Sequence, residues 1–187
     1  RSNLLQAVSQ HFKHLSLAMT EQGYAVDDPF LRGMLGEASL EATADFFYGA
    51  SHGEPLAGRF GDLLQKHQAE LREIGNASDE KSSKALFRKW ALMHDVRIFH
   101  TEGGRCGIGL IPLKARCHDL AGTSHWSNKE PNYETREPAV CAGCHCYAID
   151  RETSPFWTAR HRENRDIYAD AEALGLAGEY RVPLRRA

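Results

Sequence analysis

Apolar positions recur at helical spacing along much of the chain. Leu4, Leu5, Val8, Phe12 and Leu15 predict an amphipathic helix or helix pair over residues 3–19, with Gly23 near its stop. Asp28-Pro29 reads as a helix start, Asp as the cap and Pro at the first helical position. Phe30, Leu31, Met34, Leu35, Leu40 and Phe47 then give that helix an apolar stripe. Gly49 to Gly58 is a Gly/Pro/Ser-rich connection. A third helix carries Phe60, Leu63, Leu64, Leu71 and Ile74 inward, closed by Gly75. Ser78, Asp79 and Glu80 cap a further helix with Leu86, Phe87 and Trp90 on its apolar side. Val96, Ile98 and His100 then switch to alternation ahead of Gly103-Gly104, predicting a short hairpin within residues 95–112. Residues 119–140 read as loop. Ser154-Pro155 starts a long helix with Phe156, Ala159, Ile167, Ala171 and Leu174 on one face and Gly175 at its end. The expected fold class is mainly α, with a small irregular or β portion and a long C-terminal helix. Composition and charge shift near residues 75–80, so residues 1–75 and 76–187 are the expected units.

Composition narrows the classes. With 187 residues, 42% hydrophobic and 26% charged, the chain matches a globular protein of one ordinary or two small domains. No apolar run approaches the roughly 18 residues of a membrane span, and no secretory leader opens the chain. A cytoplasmic protein without a membrane partner is expected. The chain begins Arg-Ser-Asn rather than Met, so a piece of a longer protein is expected as well. A net charge of −2, with −4 in the first 75 residues and +2 in the rest, excludes a strongly basic nucleic-acid binder. Any grip on phosphate must come from local patches or from other parts of the chain. The C-terminal arginines Arg160, Arg162, Arg165, Arg181, Arg185 and Arg186 are such a patch, but Glu163, Asp166 and Asp170 interleave with them as on a solvated helix face. Trp126, Tyr133 and Trp157 could stack on bases; packing against the cysteine-bearing loop is the expected use.

All five cysteines lie between Cys106 and Cys146. An odd number that includes a Cys-x-x-Cys pair points to metal rather than to a disulfide framework. Cys106, Cys117, Cys141 and Cys144 supply four thiolates, enough for a closed tetrahedral structural zinc site. The Cys141-Ala-Gly-Cys144 turn places two sulfurs on one ion, on the expectation that Gly143 takes up backbone angles other residues avoid. Loop 118–140 is too polar to order itself by burial. His118, His145 and Cys146 are spare ligands. Cys141-Ala-Gly-Cys144-His145 also fits the Cys-x-x-Cys-His haem-attachment pattern, but a c-type haem leaves the other cysteines unexplained and finds no Met ligand after residue 93. Unliganded or redox cysteines are the third reading.

The run Phe12-Lys-His14-Leu-Ser-Leu-Ala-Met-Thr-Glu-Gln-Gly-Tyr24 resembles the last box of the tyrosine recombinases, the phage-type integrases: a helix histidine, a Ser-Leu-x-x-Thr run, then the nucleophilic tyrosine. The resemblance makes His14 the box histidine and Tyr24 the nucleophile. A weaker echo at Leu35-Gly36-Glu37-Ala38-Ser39-Leu40 makes Tyr48 a reserve candidate. His94-Asp95-Val96-Arg97 has the form of the family's His-x-x-Arg box, but it follows the tyrosine and runs into a predicted strand, so it is set aside. Arg105-Cys106-Gly-Ile-Gly-Leu, Lys114-Ala-Arg-Cys117 and Cys141-Ala-Gly-Cys144 resemble the cysteine-bearing C-terminal extension of some large integrase-like proteins. The resemblance implies a helical tail of a recombinase catalytic domain joined to a zinc-stabilised extension. Its partner would be duplex DNA, with a homo-oligomer on DNA, and its reaction cleavage and rejoining through a phosphotyrosine link. The family's two arginines and lysine would lie upstream, so these residues alone are expected to be inactive. The alternative is a non-enzymatic zinc module for DNA or protein binding.

Overall fold

Pro29 opens a helix, its fixed φ and missing N–H costing nothing at a first helical position. The computed structural model describes residues 29–176, with side chains from residue 33 on. The helices expected over 3–19, and with them His14 and Tyr24, lie outside the described residues, as do Arg181, Arg185 and Arg186. Helix α1 spans Pro29–Ser51. Leu40, Ala44, Phe47 and Ser51 fall four, seven and eleven residues apart from the first, and all are buried. Gly49 lies inside this helix rather than in the connection expected to begin there. The stop comes at Gly53, whose φ of 83° ends the helix while Glu54 N–H donates back to Gly49 O at 3.0 Å.

The helix expected over residues 59–75 is two, α2 (Arg59–Lys66) and α3 (Gln68–Ile74). His67 N–H still donates to Leu63 O and Leu71 N–H to His67 O, so the break is a kink and not an end. The bend sets α3 under the C-terminal end of α1, where Arg72 Nε donates to Ser51 O at 2.9 Å. Asp79 caps α4 (Glu80–Met93), accepting the Ser82 N–H at 2.9 Å. Ser83, Phe87 and Ala91 of α4 are buried, and the helix packs along α1. Its close passage explains Gly75: a side chain there would run into the Phe87 ring.

Three short strands follow the helices: β1 (Phe99–Thr101), β2 (Gly104–Cys106) and β3 (Tyr147–Ala148), antiparallel in that order. Phe99 pairs with Cys106, and Cys106 in turn with Tyr147. Beyond β3, Ile149 forms an isolated antiparallel bridge with Ala57, which lies just before α2. The aromatic core (Phe46, Phe47, Phe60 and Phe87) takes in Val96, Ile98 and Ala148 as well, so one core draws on residues from both sides of residue 75.

Thr43 ties the helices to the sheet. Fully buried on α1, its hydroxyl donates to Ser39 O at 2.7 Å and accepts the Ile98 N–H at 3.0 Å. Thr43→Val keeps the shape and strands the Ile98 N–H in the core. Urea unfolding of that variant is expected to show a loss of about 1–3 kcal/mol, against almost nothing for an exposed Thr→Val control.

Two 3₁₀ turns (Ile108–Leu110 and Pro112–Lys114), helix α5 (Arg116–Ala121) and helix α6 (Pro138–Cys141) carry the chain around a second buried cluster. The last helix, α7, spans Ser154–Ala173. Its apolar face does not pack as expected: of the five residues only Ala171 is buried, while Ala159, Ile167 and Leu174 are exposed. Most of its length is exposed. It is anchored at its start, where Trp157 Nε1 donates to Gly103 O at 2.5 Å, and closed by Gly175 at φ 74°. The described chain is mainly helical with a small antiparallel sheet, and none of its helices is long and apolar enough to cross a membrane.

Candidate metal centre

The second cluster is the cysteine cluster. Cys106 at the end of β2, Cys117 on α5, Cys141 at the end of α6, and Cys144 and Cys146 before β3 are all free thiols, and all are buried in one group with Ile108, Ala115, Val140 and Tyr147. The local backbone explains how each arrives. Gly107 N–H donates to Cys146 O at 2.8 Å, which joins the strand carrying Cys106 to the chain leaving Cys144. Cys144 N–H donates to Cys141 O at 2.9 Å and closes the Cys-x-x-Cys turn. Thr135 Oγ1 donates to Cys117 O at 2.5 Å, bringing the far end of the loop onto α5.

Cys144 is the best-supported sulfur. The backbone N–H groups of Arg116 and Cys146 both donate to its Sγ at 3.4 Å, the arrangement that favours a thiolate. The Cys146 thiol donating to it, reinforced by those N–H groups, draws Cys144 well below the ordinary thiol range. Cys146, donating, is pushed up by the same contact and by burial. Burial pushes Cys106 up to about 12 and Cys141 up to about 11. Among the described residues, no group of three or more His, Cys, Asp or Glu side chains is arranged as a ready-made metal site. The thiols instead pack as small apolar groups around Cys144, the sulfur on which the backbone N–H groups converge.

Gly143 departs from expectation. Its φ is not positive, and what the missing side chain leaves room for is the Arg116 guanidinium, which lies where a Cβ would be. Of the spare ligands, His118 is engaged at both ring nitrogens, by Thr123 Oγ1 and Glu130 O, each at 2.8 Å. His145 lies outside the cluster, its Nε2 2.6 Å from Arg59 Nη1, which occupies the nitrogen an axial haem ligand would use. Loop 118–140 is ordered by polar contacts: Asn132 Oδ1 accepts from the N–H groups of Glu134 and Thr135. Trp126 is exposed, while Trp157 packs edge-on to Tyr147 at the rim of the cluster. Of the C-terminal patch, Arg160 is half-buried, while Arg162 and Arg165 are exposed on α7.

Two arginines that sequence reasoning passed over complete the site. Arg116 covers the turn, and its place directly before Cys117 was the available signal. Arg136 lies beside Cys141, and nothing in its local pattern marks it.

His100, opposite Arg105 in the hairpin, is pushed down to about 4, first by burial and then by the Arg105 charge; Arg136 acts in the same sense, and Asp150 and Asp45 oppose it. An unfolded histidine takes its proton near 6.5, so between pH 6.5 and 4 the unfolded chain binds more protons, and stability falls as pH falls. His100→Gln is expected to flatten this acid limb, by on the order of 2–3 kcal/mol between the two pH values, in urea titrations run side by side with the wild type.

Comparison with known proteins finds no matching family model, no similar curated protein and no similar solved structure.

Proposed function

We propose that the region from β1 to α7 is a zinc-stabilised module, and that it forms the C-terminal extension of a tyrosine-recombinase-like protein acting on duplex DNA. The zinc reading is carried by one observation: five free, buried thiols share one cluster, with two backbone N–H groups already donating to Cys144. Cys106, Cys117, Cys141 and Cys144 are the ligands in this reading, and Cys146 is the neighbour that hydrogen-bonds to Cys144. Four thiolates close the coordination shell, so zinc would supply a cross-link and no catalysis. The residues joined would be a strand end, two helix ends and a tight turn, which the chain otherwise holds by hydrogen bonds and a small apolar group.

The recombinase half rests on the resemblance around His14 and Tyr24. A phenol is a weak nucleophile at neutral pH and needs positioning beside positive charge. Tyr24 would attack the DNA phosphodiester, one P–O bond forming as another breaks, so that the energy of the bond is kept in a phosphotyrosyl link. His14 would hydrogen-bond the phosphate and stabilise the charge that develops there.

Elemental analysis of the untagged 187-residue chain tests the zinc reading directly. One zinc per chain, retained through gel filtration, is expected. A well-folded sample without zinc, or one with a haem absorbance band, overturns it.

A further inference from the structure

Arg136 poses a question that the sulfur ligands alone do not answer. Two of its donors, Nε–H and Nη2–H, are buried without any acceptor, and among the described residues it makes no carboxylate pair. A guanidinium in that position carries both an unbalanced charge and unmade hydrogen bonds, each costly away from water. The Tyr133 ring lies 5.8 Å from its Cζ.

The chain holds it there deliberately from both sides. Thr135, one residue before, is fixed to Cys117 O and to Asn132 Oδ1. Two residues after, Pro138 begins the single helical turn that ends in Cys141. The Arg136 side chain lies close enough to Cys141 to act on it directly, and its charge reaches Cys106, Tyr147 and His100.

We propose that Arg136 is the counter-cation of the cysteine centre, a positioning residue whose guanidinium donates to the sulfur ligands and offsets their negative charge. The proposal rests on the zinc reading above. Four thiolates on one divalent ion leave two negative charges in excess. Arg136, near Cys141, and Arg116, lying over Gly143, bring two positive ones. Metal-bound thiolates keep lone pairs that accept N–H groups, so ligation would give the two stranded donors their partners. Hydrogen bonds from such outer residues commonly change metal affinity by about 10–100-fold.

The test is zinc competition against a chromophoric chelator with the whole chain, comparing wild type, Arg136→Gln and Arg136→Lys over a range of pH. All three are expected to bind one zinc. Arg136→Gln should bind about 10–100-fold more weakly, with the midpoint of zinc uptake moved to higher pH, and Arg136→Lys should recover most of both. If Arg136→Gln binds within twofold of wild type at an unchanged midpoint, the counter-cation role is overturned while the zinc reading stands. If the wild type binds no zinc, both fall. Should Arg136→Gln not fold, Arg136→Lys decides. Uptake within about tenfold of wild type supports the charge role. A loss as large as that from removing a cysteine ligand overturns it, because the charge is still present.

Discussion

Replacing Cys144 by serine is expected to strip the chain of its metal. Of the proposed ligands, Cys144 alone has two backbone N–H groups on its sulfur, and it is the one drawn towards the thiolate. A serine hydroxyl stays protonated at neutral pH and binds zinc poorly. Structural zinc contributes about 10–16 kcal/mol in small zinc-dependent peptides, so loss of one ligand removes a large part of what closes the module. Zinc content after chelator challenge should fall from about one equivalent to near none, because a ligand thiolate is gone. Proteases should then cut within residues 107–146, while the helices from α1 to α4, whose core is aromatic, keep their helicity. Cys146→Ser is the control: it should keep the metal, since that thiol serves as a donor to Cys144 and sits 3.4 Å from Ile111 O. Zinc retained by Cys144→Ser would move the ligand set elsewhere.

The second large effect concerns Tyr24. In a protein carrying the whole catalytic domain, Tyr24→Phe is expected to abolish covalent protein–DNA adducts on a nicked suicide substrate and to leave DNA binding unchanged. The substitution deletes the nucleophilic oxygen and keeps the ring. His14→Ala should slow adduct formation by about a hundredfold or more without abolishing it, because it supports charge and forms no bond to the substrate. Adducts that persist in Tyr24→Phe would shift the search to Tyr48, which sits on α1 with its ring against His52 and the Lys84 ammonium 5.2 Å from the ring centre.

Signals that act within a few residues were legible in the sequence. Pro29 opens its helix, Asp79 caps α4, Gly103 marks the Glu102-Gly103 turn of the hairpin, and Gly175 ends α7. Each works through a local dihedral or a hydrogen bond to a near neighbour. What escaped depends on distant parts of the chain. The kink at His67 goes with a tertiary contact, Arg72 reaching back to Ser51. Gly49 looked like a stop and is a helical residue, because the left-handed angle falls to Gly53 instead. The apolar spacing of α7 is real, yet Ile167 and Leu174 are exposed, since periodicity says that a face exists and not what covers it. In the candidate site the sulfurs announced themselves by type and spacing. Arg136 did not, because the burial of its Nε and Nη2 comes from tertiary packing, which no local pattern encodes.

The bridge between Ala57 and Ile149 has a consequence for how this chain comes into being. The two residues exchange both backbone hydrogen bonds, at 2.8 and 2.9 Å, across almost the whole intervening sequence. Ala148, beside them, belongs to the aromatic core that the early helices form. During synthesis those helices can emerge and collapse long before their last strand exists, and the edge at Ala57 then stays open. Closing so long a loop is slow, because chain entropy is lost before any contact repays it. Completion of the first core therefore waits on the far side of the cysteine cluster, and a ribosome paused before residue 149 would hold a helical layer with its edge unpaired.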